Sequence, residues 1–345
     1  MNETMMKAVA IERYLEIIEP GSLVDVTVPR PHADGHDLLV QVAAIAVNPV
    51  DTKVRRGRGQ AAGKVETPPR IIGWDASGVV QAVGEKVTRF RPGDEVYYAG
   101  DLNRPGSYAQ YQLVDERIVG RRPMTLAHHE AAALPLTTIT AYESLFDRLQ
   151  IDRDGGSRGQ SLLIIGGSGG VGSIGIQLAR HAGLTVIATA SRPETQAWVS
   201  QLGADHVISH QGDMVLAVRS LGFRFIDHIA IFNDMRHWDA AVELVRPQGR
   251  IVCIDDTHLP MPMEKLKSKA CSVHWEFMFA RSMHQTPDMA QQGLLLSWVA
   301  QQVDDGRIRT TVSERLSPIN AENLRIAHQR VESGTARGKI VVDGF

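Results

Sequence analysis

Ser161-Leu162-Leu163-Ile164-Ile165-Gly166-Gly167-Ser168-Gly169-Gly170-Val171-Gly172 is the stretch that decides the fold. Six apolar or small residues in unbroken succession, Ser161–Gly166, read as a strand buried on both faces, the kind a parallel sheet requires. Gly167-Ser168-Gly169-Gly170-Val171-Gly172 then supplies G-x-G-x-x-G between that strand and an apolar-faced helix over 171–182. Alone the pattern is weak, but it gains weight in this strand–turn–helix setting. The first glycine suits the tight turn and the second lets backbone approach a pyrophosphate. The third permits close helix–strand packing, and the helix N-terminus offers unpaired N–H groups to the phosphates. A glycine-rich turn without a ligand is the plainer alternative.

Outward from this turn the texture is periodic. Strands are expected at 184–190, 206–209, 225–232, 250–255 and 273–279, with helices at 194–202, 214–221 and 238–245 between them. Such alternation makes parallel βαβ units and hence a doubly wound α/β sheet. Helical spacing also runs through 128–136 and 140–149. The first third reads differently, as short β-branched runs at 6–12, 23–28, 38–47, 78–83, 95–98 and 108–114, punctuated by Gly and Pro. That pattern predicts a compact antiparallel barrel or sandwich. The tail carries a helix over 289–303, a strand near 310–316, a helix over 321–332 and a last strand over 339–342.

Of 345 residues, 37 are Lys or Arg and 39 are Asp or Glu, a net charge of −2. This balance argues against a nucleic-acid partner or a polybasic membrane patch. No stretch reaches the roughly 18 apolar residues of a spanning helix, and residues 1–12 show no secretory apolar region. The two cysteines, Cys253 and Cys271, are too few for a disulfide framework and fit a reducing compartment. A cytoplasmic location is expected.

The second strand of the α/β series selects the cofactor. An acidic residue at its end would bind a ribose 2′-hydroxyl, whereas an arginine would accept a 2′-phosphate. This strand delivers Ser191 and Arg192, with no carboxylate before Glu194. Ser191 and Glu194 have the spacing of a capping box, which gives the carboxylate a structural task. The expected cofactor is NADPH. A solvated arginine at a helix start is the alternative for Arg192.

Further motifs carry a family resemblance over nearly the whole chain. They are Asn48-Pro49-Val50-Asp51-Thr52, Gly73-Trp74-Asp75-Ala76-Ser77-Gly78, Pro92-Gly93-Asp94-Glu95-Val96, Ala131-Ala132-Ala133-Leu134-Pro135 with Thr140-Ala141-Tyr142, the glycine turn, and Gly338-Lys339-Ile340-Val341. Together they resemble the medium-chain dehydrogenase/reductases, within them the zinc-independent quinone oxidoreductase branch. Its members are often labelled zinc-type alcohol dehydrogenase-like. The resemblance implies a Rossmann domain (138–280) inserted into a GroES-like catalytic domain built from 1–137 and 281–345. It also implies an active site in the cleft and a homodimer. Zinc-dependent members hold the metal at three places, which by motif fall on Asn48, on Trp74 with Asp75 beside it, and near Thr137. None supplies the thiolate or imidazole that zinc prefers, so no metal is expected. His128-His129 read as exposed or capping residues.

The resemblance therefore implies hydride transfer to a conjugated acceptor, a quinone or an α,β-unsaturated ketone. Such a reaction needs positioning and stabilisation of a developing oxyanion. Asn48 is the expected amide donor, Asp51 its orienting partner, and Lys53 a candidate oxyanion stabiliser or proton donor. Lys53 reads equally well as a solvated lysine beside Arg55 and Arg56. Phe279 and Arg281, after the sixth strand, and Lys339, in the terminal strand, are expected near the cofactor, with packing or linker roles as the alternatives. Two other functions stay open: a zinc-type alcohol dehydrogenase, and a non-catalytic NADPH-binding protein.

Overall fold

A computed structural model describes residues 4–57, 62–257 and 259–345. They form two units: Thr137–Met278, and Met1–Leu136 together with Phe279–Phe345. The architecture is α/β, as expected.

In the central unit, the strand Ser161–Ile165 is buried at all five positions. It lies inside a six-stranded sheet whose order is His206–Ile208, Thr185–Thr189, Ser161–Ile165, Ile226–Ile231, Val245–Cys253, Ser272–Trp275. Every pairing in it is parallel. The chain runs from Ser161–Ile165 to one edge, then crosses back to Ile226–Ile231 on its other side. That reversal is the topological switch point, where open α/β sheets bind ligands beyond the carboxyl ends of their strands. Met214, Val218, Trp238, Ala241 and Val242 of two helices pack on Leu163, Ile165, Ile187 and Ile229 of the sheet. Truncating a buried leucine such as Leu163 to alanine costs about 2–5 kcal/mol.

The β-rich unit holds a three-stranded sheet ordered Val24–Pro29, Met5–Arg13, Val65–Ile71. A seven-stranded sheet is built around the eleven-residue strand Asp37–Val47. Three features depart from the sequence expectation. Val65–Ile71 contains Pro68 and Pro69 and went unread; it lies at a sheet edge, where missing N–H donors are tolerated. The short helix Pro49–Arg55 was also unread. The sheet is not wholly antiparallel, because Val312–Leu316 and Lys339–Asp343 pair in parallel, joined by the crossover helix Ala321–Glu332. The sixth Rossmann strand ends at Trp275 rather than Phe279, and Phe279 belongs to the β-rich unit.

Candidate functional site

The glycine turn is shaped by close contacts. Gly166 has φ +91°, and its N–H donates to Thr189 Oγ1 at 3.0 Å. A Cβ on Gly172 would lie 2.3 Å from Gly166 O, and one on Gly167 would lie 2.9 Å from Ala188 Cβ. These two glycines are required by the protein's own packing. A Cβ on Gly169 would meet only Gly166 O, at 3.6 Å. The absence of a side chain there leaves room over the turn. Gly169 is also the N-cap of the helix Gly170–His181, whose twelve residues begin with N–H groups lacking partners inside the helix. Gly167, Ser168, Gly169, Gly170, Val171 and Gly172 could therefore hold a dinucleotide pyrophosphate, because the first N–H groups and the dipole of a helix favour an anion at its N-terminus.

After the strand Thr185–Thr189 the capping differs from the expected box. Arg192, not Ser191, is the N-cap of the helix Pro193–Gln201. Thr195 Oγ1 accepts from Arg192 N at 3.2 Å and donates to Arg192 O at 2.9 Å. The reason is Pro193, whose fixed φ suits the first helical position and so moves the cap one residue onward. Glu194 is thus released from capping, and its Oε1 lies 3.2 Å from Arg192 Nε. Ser191 sits between strand and cap, and the residues after it set one guanidinium beside one carboxylate.

In the β-rich unit the sequence-predicted Asn48 and Lys339 come together with Asp75, which the sequence placed only beside Trp74 at a zinc-ligand position. Lys339 is 3% exposed, and Asn48 and Asp75 are fully buried. Lys339 Nζ donates to Val47 O at 3.2 Å, to Asp75 Oδ2 at 2.9 Å and to Asn48 Oδ1. The Asn48 amide donates to Asp75 Oδ2 at 2.8 Å and to Ala46 O at 3.3 Å. Asp75 Oδ1 accepts from Leu136 N at 2.7 Å. Asn48 and Lys339, expected to meet substrate and cofactor, thus spend their polar atoms on one another. Strand register explains the meeting: Ala46 pairs with Asp75, and Val47 with Ile340.

Asp51 continues this knot. Its Oδ2 accepts from Asn48 N at 2.8 Å, closing the first turn of Pro49–Arg55, and from the Tyr108 hydroxyl at 2.9 Å. Tyr108 Oη is also 3.0 Å from His328 Nε2. Burial pushes the Asp51 carboxyl up to about 7, outweighing the lowering by the Asn48 N–H, Lys339 and Tyr108. Burial holds the His328 imidazole down at about 3, with Arg55 acting in the same direction, and raises the Tyr108 hydroxyl well above its ordinary value. Arg55, fully buried, pairs with Glu332. Sequence reading missed Tyr108, His328 and the pairing of Asp75.

Lys53 is half-buried on the helix Pro49–Arg55. Phe279 is 1% exposed and packs edge-on against Trp74, with ring centroids 5.9 Å apart. Arg281 forms an ion pair with Asp288, at 3.0 Å from Nε and 2.9 Å from Nη2. Both have these partners within the β-rich unit. His128 is not simply exposed: its Nδ1 is 2.8 Å from Ser77 Oγ and its Nε2 is 3.5 Å from Glu95.

The zinc-ligand positions of the family test poorly on chemistry. Trp74 Nε1 donates to Asp101 O at 2.9 Å and has no lone pair to give. Asn48 and both oxygens of Asp75 are already hydrogen-bonded, one of them by an ammonium that repels a second cation. The third position, Thr137, offers a hydroxyl, and zinc favours nitrogen and sulfur. These residues do not fit zinc. Among the described residues no three His, Cys, Asp or Glu side chains gather as a metal site, and no helix is long and apolar enough to cross a membrane.

Comparison with known proteins gives concordant matches. Residues 34–124 match the alcohol dehydrogenase GroES-like domain, and residues 202–342 match the zinc-binding dehydrogenase family. A zinc-type alcohol dehydrogenase-like protein of Staphylococcus aureus is 41% identical over 341 residues, 98% of this chain and all of that one. The 2-methylene-furan-3-one reductase of Solanum lycopersicum is 30% identical over 322 residues, 90% of this chain and 73% of that one. Among solved structures, a Rhizobium etli CFN 42 protein described as a candidate zinc-dependent alcohol dehydrogenase superposes with TM-score 0.94, at 51% identity over 99% of each chain.

Proposed function

This chain belongs to the medium-chain dehydrogenase/reductase superfamily, and from that premise we propose that it is an NADPH-dependent reductase of conjugated carbonyls. The acceptor is an α,β-unsaturated ketone or a quinone, and no zinc takes part. A bound nicotinamide cofactor supplies the hydride. The glycine turn Gly167–Gly172 holds its pyrophosphate, and Ser191 with Arg192 receives the 2′-phosphate through charge-assisted hydrogen bonds.

The observation that carries the reading is the Asn48–Asp75–Lys339 knot. Where metal-dependent relatives need ligands, this chain has an amide and a carboxylate already bonded to an ammonium. Without a Lewis acid, oxidation of an unactivated alcohol lacks its main electrostatic help. A conjugated acceptor spreads the incoming charge onto an oxygen, which needs only a positioned donor. We assign that role to Lys53; Asn48 and Asp51 hold the turn from which its helix springs. The tomato relative, whose name describes an enone reductase, agrees with this acceptor class.

The homodimer expected for the family is proposed to form along the outer strand Ser272–Trp275, where Trp275 is 51% exposed. The free thiols of Cys253 and Cys271 agree with a cytoplasmic home. Steady-state oxidation of NADPH against a panel of enones, quinones and saturated ketones, with elemental analysis of the same sample, tests the function. Turnover confined to conjugated acceptors, at zinc far below one per chain, supports it. Stoichiometric zinc with activity lost to a chelator overturns it and favours the alcohol dehydrogenase reading. Cofactor binding with no turnover of any acceptor favours a binding protein.

A further inference from the structure

We propose that the Lys339 ammonium is a resident cation of the β-rich unit, gathering three buried oxygens as a bound ion would and thereby positioning Asn48. An ammonium has three donors, and here each meets one oxygen: Val47 O at 3.2 Å, Asp75 Oδ2 at 2.9 Å, and Asn48 Oδ1. These oxygens come from different parts of the sheet. Val47 ends the central strand Asp37–Val47 and Asn48 follows it, Asp75 opens the strand Asp75–Val83 on one side, and Lys339 opens Lys339–Asp343 on the other. The convergence point is dry, with the three side chains between 0 and 3% exposed.

Remove the cation, and the dipoles of Val47 O and Asn48 Oδ1 face the Asp75 carboxylate without solvent. A buried charge stripped of its partner is strongly unfavourable. The amide of Asn48 then keeps its bonds to Ala46 O and Asp75 but loses the donor on its oxygen, in the residue whose backbone N–H Asp51 holds. Lys339 therefore acts through Asn48 and Asp51 on the start of the helix Pro49–Arg55, which carries Lys53. It is a positioning residue, and its flexible four-carbon stem makes it the part of the site that a small free cation can replace.

Chemical rescue tests this. Lys339→Ala leaves a cavity the length of the lost stem, and Lys339→Met fills the same space without charge. For Lys339→Ala we expect a lowered thermal midpoint that rises saturably with ethylammonium or propylammonium, by about 2–4 °C or more. Tetramethylammonium, which has no N–H, should give no such rise. Lys339→Met should not respond to any amine. The double variant Lys339→Met/Asp75→Asn, which removes both charges, should be more stable than Lys339→Met alone. These readouts need no turnover, so they stand apart from the reductase reading. Only the kinetic consequence rests on it: kcat of Lys339→Ala should fall at least about 10-fold and recover with the amine. Equal responses of the Ala variant to propylammonium and tetramethylammonium, or a double variant less stable than Lys339→Met, would overturn the proposal. If Lys339→Ala does not accumulate folded, the comparison of Lys339→Met with the double variant decides alone.

Discussion

Asp51→Asn should change how stability depends on pH, and its size follows from the surroundings of the carboxyl. Asp51 is fully buried, its Oδ2 accepts two hydrogen bonds, and its Oδ1 has no partner. Burial raises its folded-state pKa to about 7 from the ordinary 3.8. For an acid whose folded pKa is raised, the folded state keeps a proton that the unfolded chain has already released. Stability is then full below the unfolded value and declines as pH rises through the folded value. One pKa unit is worth about 1.36 kcal/mol, so the whole window is worth about 4 kcal/mol. Between pH 5 and pH 8, integration over both titrations gives a loss of about 2–3 kcal/mol. The His328 imidazole, held near 3, stays neutral in the folded protein across this range. Glu276, raised to about 9 by burial and by Glu143, adds its own alkaline loss, but it is common to both proteins and cancels in the difference. Urea unfolding of the wild type and Asp51→Asn at pH 5 and pH 8 measures that difference. We expect the wild type to lose about 2–3 kcal/mol more than the variant, and a carboxyl ¹³C resonance titrating near 7 that the variant lacks. Parallel pH profiles would refute the assignment of a protonated Asp51 to the folded state.

Other predictions address the cofactor turn and the oxyanion donor. Gly169→Ala should fold normally but bind dinucleotide at least about 10-fold more weakly in a fluorescence titration. Gly172→Ala should lower stability as well, because its Cβ meets Gly166 O at 2.3 Å. Arg192→Ala should erase most of a roughly 10- to 100-fold preference for NADPH over NADH while barely touching NADH, since hydrogen bonds to charged groups contribute about 1.5–3 kcal/mol. Glu194→Gln should tighten NADPH by up to about fivefold, releasing an exposed ion pair worth about 0.2–1 kcal/mol; calorimetry with both cofactors reads each effect. Lys53→Ala should lower kcat and kcat/KM together by about 10- to 1000-fold if its ammonium meets the oxyanion, and unchanged kinetics would return it to the surface.

The parallel sheet and its glycine turn were legible because their signals are local: apolar runs alternate with helical spacing, and the turn joins one strand to the next helix. Val65–Ile71 escaped because its prolines argue against a strand everywhere except at an edge, and an edge is a property of the whole sheet. The polar knot escaped for a different reason. Asp75 and Lys339 are 264 positions apart, and Tyr108 and His328 are 220 apart; only strand register and the packing of the crossover helix bring them together. A faint signal existed in Lys339, a lone cation opening the apolar run Ile340-Val341-Val342, and in His328 beside Leu324 and Ala327 on a buried helix face. At Ser191-Arg192 the sequence reading chose the wrong cap, because Pro193 outweighs a Ser–Glu pairing three residues apart.

Transfer of label from NADPH carrying deuterium at the transferring carbon, with protein stripped of metal by a chelator, tests the central claim most directly. With an α,β-unsaturated ketone as acceptor, the account predicts a saturated product bearing the deuterium at its β-carbon, at a rate unchanged by stripping. Loss of turnover on stripping, restored by zinc, or deuterium delivered only to a carbonyl carbon, would contradict it.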